Sequence, residues 1–168
     1  MLFGKANKPR GTYALLVHIR SATALQVGRL GTVHLRPGYY AYVGSALGPG
    51  GLSGRVHRHL RPTEEKRPHW HIDAITALGV IEEVWWVESG KRQECAWASV
   101  LTQAGKLAAA GFGASDCRCP GHLVWLGDAE GVSQGWCVLR KLIGSRLQRV
   151  RIELPTTENN PMKIGVDR

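Results

Sequence analysis

Two tyrosines, one arginine and one glutamate have the types and spacing that suit phosphodiester hydrolysis. Tyr13 lies in an apolar run that begins Gly11-Thr12-Tyr13, and Tyr42 lies in Tyr42-Val43-Gly44, near the end of a second apolar run. Arg55 follows in a basic segment, and Glu94 comes much later in an otherwise apolar one. The reaction needs a base that activates water, cations that stabilise charge on the phosphate, and a group that neutralises the leaving oxygen. Arginine suits the second role, and a carboxylate holding a hard metal ion suits the third.

Each of these residues also has an ordinary structural explanation. Tyrosines are commonly core aromatics, a basic helix is usually a solvated face, and a first-turn glutamate often serves only the helix dipole. Glu94 nevertheless shares a helix face with Trp97 and Leu101, so we predict that it points toward the sheet. A tyrosine has an unperturbed pKa of about 10 and needs help to act as a base.

The hydrophobic pattern predicts the elements that position these residues. Apolar residues on both faces predict a buried strand at 12–19, and period-two alternation predicts a strand at 32–36. Pro37-Gly38 is typical of a tight turn, so we expect residues 39–44 to return as the second strand of a hairpin, with Tyr40 and Tyr42 on one face.

Helical spacing dominates the rest of the chain. Ser53 is expected to cap a helix that carries Arg55 and His59 on one side and ends at Pro62. The remaining predicted segments are a helix at 69–78, a strand at 80–87, a long helix from 89 or 90 with an apolar stripe that reaches 108, a loop at 111–121, a strand at 122–126 and a terminal element at 136–150. Residues 20–31 and 127–135 are expected to be turns. This order predicts an α/β (α+β) fold with a small, mostly antiparallel central sheet flanked by helices.

The ordered set of motifs resembles the GIY-YIG nuclease superfamily. Gly11-Thr12-Tyr13 stands where the GIY triplet would be, and Tyr42-Val43-Gly44-Ser45 stands where YIG and its next residue would be. The segment 55–60 looks like the family's arginine helix with its trailing histidine, and Glu94 looks like its metal-binding glutamate.

One branch of that superfamily is similar over further segments. Residues 69–73, Glu94-Cys95, and 111–120 with His122 resemble a bacterial and archaeal branch sometimes called Uri-type endonucleases. Some members of that branch are fused to an endonuclease III-like DNA glycosylase. The resemblance then covers about residues 11–126.

The resemblance implies a nuclease that cleaves DNA. It implies one divalent ion, Mg²⁺ or Mn²⁺, on Glu94, a water molecule positioned or deprotonated by Tyr13 or Tyr42, and a scissile phosphate bound by Arg55. We also predict that four further residues contact nucleic acid: Ser45, Arg58, His59 and His71.

Two positions differ from relatives in this superfamily. Some relatives have a lysine three positions after the second tyrosine, where this chain has Ser45, and many use a downstream asparagine that this chain does not offer in a suitable place. His57, His59 or His71 are candidates for the missing helper. The alternative from another class is a nucleic-acid-binding module that keeps the fold with little or no catalysis.

The bulk composition limits the partner and the compartment. Lysine and arginine outnumber acids 22 to 13, and a formal charge of +9 favours a polyanion such as nucleic acid. No apolar run approaches the ~18 residues of a transmembrane helix, and the N-terminus lacks the apolar core of a secretory signal. We therefore expect a cytoplasmic protein with no membrane partner.

The cysteines do not have the spacing of a disulfide framework, and we expect free thiols. Cys117, Cys119 and His122 are possible zinc ligands, with Cys137 or His71 as the fourth. The C-x-C spacing is atypical for structural zinc, so we favour a different interpretation. In that interpretation a glycine-rich loop braces the site through two charged residues, Asp116 and Arg118.

Three regions are predicted along the chain. They are a basic arm at 1–10, a nuclease-like domain at 11–126, and a basic extension at 127–168 whose end is expected to be disordered. A phosphate-binding role and a purely solvated role are both open for the basic residues of the extension: Arg140, Lys141, Arg146, Arg149 and Arg151.

Overall fold

The computed structural model describes residues 8–65, 67 and 70–153. The expected disorder at the C-terminal end and most of the expected basic arm lie outside these residues. The strands are β1 (Gly11–Ile19), β2 (Thr23–Val27), β3 (Gly31–Leu35), β4 (Gly38–Ala46), β5 (Val80–Glu88), β6 (Lys106–Leu107), β7 (Leu123–Gly127) and β8 (Gln148–Arg151). The helices are α1 (Gly51–Leu60), α2 (His71–Thr76), α3 (Glu94–Leu101) and α4 (Ala129–Ile143).

A six-stranded antiparallel sheet forms the centre of the fold, in the spatial order β6-β7-β4-β1-β5-β8. The predicted α/β class with an antiparallel sheet flanked by helices is therefore confirmed. β1 is buried on both faces, which explains its continuous apolar sequence. None of the helices in the described ranges is long and apolar enough to cross a membrane.

The two faces of the sheet pack against different helices. Tyr13 and Leu15 alternate with Ala14 and Leu16 along β1, so each pair faces a different core. The first core includes Val56 of α1 and Ile72 of α2. The second core consists of apolar side chains from the sheet, α3 and α4, among them Trp85, Trp97, Leu101 and Leu139. The predicted faces of β4 are confirmed, since Tyr40 and Tyr42 belong to the first core and Ala41 and Val43 to the second.

The predicted hairpin between residues 32–36 and 39–44 is wrong. β3 pairs with β2 in a separate two-stranded sheet, while β4 pairs with β1 and β7. The segment expected to be turns, 20–31, supplies β2 because its sequence Thr-Ala-Leu-Gln-Val alternates as β3 does. A 3-10 helix at Gly28–Leu30 joins the two strands.

Three helix predictions also need correction. α1 begins at Gly51 and has no side-chain cap, and Ser53 lies inside the helix, where its hydroxyl is 3.2 Å from Nδ1 of His57. α2 begins at His71, after an extended Trp70, and ends at Thr76, two residues before the predicted end. α3 begins at Glu94 and ends at Leu101, because the chain turns there to form β6 beside β7.

The segment 127–135, expected to be turns, begins α4. Asp128 caps this helix, since its carboxylate accepts hydrogen bonds of 3.1 Å from the backbone N–H groups of Glu130 and Gly131. Gly131 lies in the first turn of this helix, and a Cβ there would overlap the backbone carbonyl of Leu126. The glycine therefore allows the helix to approach β7 closely and does not break it.

Candidate functional site

One pocket of about 170 Å³ brings together all four residues predicted to carry the chemistry. Tyr13, Tyr42, Arg55 and Glu94 line it, and Ser45 lies at its wall. They come from β1, β4, α1 and the first residue of α3, so four separate elements converge at one end of the central strands.

Tyr13 lies at the base of the pocket. It is 3% exposed, and its hydroxyl is 2.8 Å from Nε2 of His59, which is 2% exposed. Gly44 lies opposite Tyr13 on β4, and a Cβ at Gly44 would overlap the ring and hydroxyl of Tyr13. Burial, and next the neighbouring Tyr42, hold the pKa of Tyr13 well above its usual value. Tyr13 is therefore a neutral phenol with a histidine partner.

Tyr42 lies on the same face as Tyr13 but is more open to the pocket. Its ring meets Phe112 and His59 edge-on, with centroids 6.1 Å and 6.3 Å away. Burial raises the pKa of Tyr42 to about 12, although the positive charge of Arg55 acts to lower it. Tyr42 is thus also neutral near pH 7 and can offer its O–H to an anion.

Trp70 holds two arginines of α1 next to the pocket. The guanidinium carbon of Arg55 lies 4.5 Å from the Trp70 ring centroid, and that of Arg58 lies 3.8 Å away. Arg58 also donates hydrogen bonds of 3.0 Å and 2.9 Å to the buried carboxylate of Asp73, which accepts a third from the Trp70 backbone. Arg58 thus fastens α1 to α2, whereas Arg55 lines the pocket; contact of Arg58 with nucleic acid stays a prediction.

Glu94 is buried, at 3% exposure, as its helix position predicted. Its Oε1 accepts a 2.8 Å hydrogen bond from Nε of Arg92, and its Oε2 is buried with no hydrogen-bond partner among the described residues. A buried carboxylate oxygen without a donor is a suitable ligand for one hard divalent ion. The residue therefore fits the Mg²⁺ or Mn²⁺ that the sequence prediction assigned to it.

Arg92 joins Glu94 to the loop that follows β6. Its terminal nitrogen donates a 2.7 Å hydrogen bond to Asp116, and this bond lowers the pKa of Asp116 below its usual value. The bracing role predicted for Asp116 is thus seen, through Arg92, whereas Arg118 is exposed. Sequence reasoning missed Arg92, because it precedes the helix and has no periodic pattern to mark it.

His71 lies behind the same loop. Its Nδ1 accepts a 3.2 Å hydrogen bond from the backbone N–H of Gly113, and its ring packs beside Phe112. His71 therefore holds the loop in place, and its predicted contact with nucleic acid stays a prediction.

A possible metal-binding cluster adjoins the pocket. Sγ of Cys95, Cys117 and Cys119 and Nε2 of His122 all lie within 4.8 Å of one another. Cys95 occupies the fourth position that sequence analysis gave to Cys137 or His71, so that assignment was wrong. The described cysteines are free, as expected. Burial and neighbouring thiols raise the pKa of Cys119 to about 12.

The comparisons with known proteins identify a family whose function is unknown. A model described as Domain of unknown function DUF123 matches residues 12–141, which include the whole pocket and the cysteine cluster. No curated protein and no solved structure matches the chain.

Proposed function

The chain belongs to the family described as Domain of unknown function DUF123, and we propose that it is a metal-dependent endonuclease of the GIY-YIG type that hydrolyses DNA. The observation that carries this proposal is the convergence of Tyr13, Tyr42, Arg55 and Glu94 in one pocket. These residues are far apart in the sequence and come from four elements, so local sequence alone does not account for their proximity.

The charges in the pocket suit a phosphate. Arg55 and Arg92 line it together with Glu94 and Asp116, so two guanidinium groups balance two carboxylates. A divalent ion held by Oε2 of Glu94 would neutralise negative charge that develops on the leaving oxygen. Arg55 binds the scissile phosphate, because its planar guanidinium matches the phosphate oxygens.

Tyr13 and His59 provide a route for the proton of the attacking water. A raised pKa makes a free tyrosinate rare near pH 7, so Tyr13 acts as a base only if its own proton leaves at the same time. Nε2 of His59 lies 2.8 Å from the hydroxyl and can take that proton while Tyr13 takes one from water. Of the three histidines considered as helpers, His59 is thus the one that we assign to Tyr13.

Exposed basic residues near the pocket favour nucleic acid as the substrate. Arg10 precedes β1, Lys91 follows β5 and Arg146 precedes β8, so all three lie at the same end of the sheet as Ser45. Three strand spacings separate β4 from β8, or about 14 Å, which is within the width of a duplex. We call these three residues the basic end of the sheet.

The test is cleavage of single-stranded, duplex and branched DNA with Mg²⁺ or Mn²⁺. We expect the wild type to cut, and Glu94→Gln to lower the rate by about 100-fold or more while DNA affinity changes little. Glu88→Gln removes an exposed carboxylate outside the pocket and is the matched control.

Two outcomes contradict the proposal. One is equal cleavage by the wild type and Glu94→Gln, and the other is no cleavage of any of the three substrates. If the wild type binds DNA but cuts none of the substrates, the result supports the alternative, a nucleic-acid-binding module.

A further inference from the structure

We propose that Cys95, Cys117, Cys119 and His122 form a closed structural zinc site that fixes Glu94 in the pocket. Three thiols with one imidazole are a common ligand set for structural zinc, and all four ligand atoms lie within 4.8 Å of one another. The spacing of the cysteines in the sequence did not reveal all four ligands, because Cys95 lies in α3 and the other three lie in or beside the loop before β7.

The distances within the cluster suit a tetrahedral ion. Sγ of Cys119 lies 3.0 Å from Sγ of Cys117, 3.2 Å from Sγ of Cys95 and 2.8 Å from Nε2 of His122. With Zn–S bonds of about 2.3 Å and a Zn–N bond of about 2.0–2.1 Å, tetrahedral ligands lie about 3.5–3.8 Å apart. An outward shift of less than about 1 Å in each pair therefore makes room for the ion.

Backbone hydrogen bonds already hold one of the four ligands, His122, in place. The N–H of His122 donates a 2.7 Å hydrogen bond to the carbonyl of Phe112, and its carbonyl accepts one of 2.9 Å from Val43 on β4. His122 is 2% exposed, so this ligand is fixed beside the central sheet. Because protein groups take all four positions, the site leaves no open position for substrate, which indicates a structural ion.

The ligands are sequence neighbours of two pocket carboxylates. Cys95 follows Glu94, and Cys117 follows Asp116. An ion that ties Cys95 to Cys117 therefore ties the start of α3 to the loop and holds both carboxylates on either side of Arg92. This role is that of a positioning site, separate from the Mg²⁺ or Mn²⁺ proposed at Glu94.

Elemental analysis of untagged protein dialysed against metal-free buffer tests the site. We expect about one zinc ion per chain in the wild type and in Cys137→Ser, whose thiol is exposed and outside the cluster, and less than about one-tenth of an ion in Cys119→Ser. Stripping zinc from the wild type with a chelator should also lower its melting temperature, since metal binding stabilises the folded chain.

A second measurement does not depend on whether a variant folds. Stripped wild-type protein titrated with Co²⁺ should develop the intense visible absorption of a tetrahedral thiolate site and lose it on addition of Zn²⁺. The proposal would be overturned if the wild type contained no zinc or contained iron in its place. It would also be overturned if Cys137→Ser lost as much zinc as Cys119→Ser. None of these measurements uses DNA, so they succeed or fail independently of the nuclease test.

Discussion

At the scale of single residues, the pocket combines two buried phenols with one buried carboxylate. Tyr13 and Tyr42 have raised pKa values because both phenols are buried, and Tyr13 contacts His59 through a 2.8 Å hydrogen bond. Glu94 is held from one side by Arg92, which leaves its second oxygen for an ion. The Tyr13 hydroxyl therefore has a proton acceptor in His59, and Glu94 has one oxygen available to a metal ion.

The Tyr13–His59 pair gives a prediction about cleavage. His59→Gln removes the proton acceptor but keeps a polar side chain, and we expect the cleavage rate to fall by about 100-fold or more with little change in DNA affinity. His57→Gln, four residues from Ser53 on the same helix, is the matched control. Rates and dissociation constants of both variants are to be measured; equal effects of the two substitutions would remove His59 from the proton route.

The raised pKa of Tyr42 gives a prediction about stability at high pH. The folded chain holds this proton up to about pH 12, whereas the unfolded chain releases it near its usual pKa of about 10. Between these values the unfolded chain binds fewer protons, so the free energy of unfolding falls as pH rises.

Tyr42→Phe removes this contribution, so its melting temperature should fall less steeply across that window than that of the wild type. Thermal unfolding at several pH values from below pH 10 to about pH 12 measures the difference. The same slope in both proteins would show that the Tyr42 proton is released equally in the folded and unfolded states.

At the scale of elements, the close approach of β1 and β4 sets the position of Tyr13. The Tyr13 ring lies over Gly44, where any larger side chain would overlap it. Arg58, Asp73 and Trp70 then fix α1 against α2, so that Arg55 faces the phenols. The geometry of the pocket thus depends on the packing of β1 against β4 and of α1 against α2, as well as on the residues that line it.

Two glycine substitutions should have opposite signs. Gly44→Ala forces the Tyr13 ring to move, and we expect a loss of about 1–3 kcal/mol in the free energy of unfolding. Gly54→Ala, exposed in α1 with nothing within 4 Å of the added Cβ, should instead raise that free energy by up to about 1 kcal/mol. Denaturant unfolding of both variants measures the difference, and a stable Gly44→Ala would refute the close packing.

At the scale of the whole molecule, charge and topology combine at one end of the sheet. The formal charge of +9 favours a polyanion in general, and the antiparallel order of strands places Arg10, Lys91 and Arg146 at the same end as the pocket. Arg149 stacks over Trp136 and Arg151 contacts Glu83, so these two basic residues have protein partners. Within the C-terminal basic segment, this arrangement favours a phosphate-binding role for Arg146 over Arg149 and Arg151.

The basic end of the sheet predicts how DNA binding depends on salt. Replacing Lys91 and Arg146 with glutamine should reduce the slope of log affinity against log salt by up to about 2, since each phosphate contact contributes about 0.9. Arg20→Gln with Lys106→Gln removes the same charge from the opposite end of the sheet and should leave the slope nearly unchanged. Equal slopes for the two double variants would place the DNA elsewhere.

The sequence by itself determined several of the local elements and the four residues predicted to carry the chemistry. Dense apolar runs indicated β1 and β5, and helical spacing indicated α1. The alternation of side chains along a strand gave the faces of Tyr40 and Tyr42, because side-chain direction follows from local geometry. Tyr13, Tyr42, Arg55 and Glu94 were found because their motifs, taken in order, resemble those of the GIY-YIG superfamily, whereas Arg92 was missed.

Only the tertiary structure decided the contacts between distant segments. The pairing of β3 with β2, the link from Glu94 through Arg92 to Asp116, and Cys95 as the fourth member of the cysteine cluster all join residues without a shared pattern in the sequence. Such contacts depend on how the sheet brings separate loops together, which no local preference encodes. The glycine at 131 illustrates the same limit, since only the packed β7 shows that it permits close contact and does not end a helix.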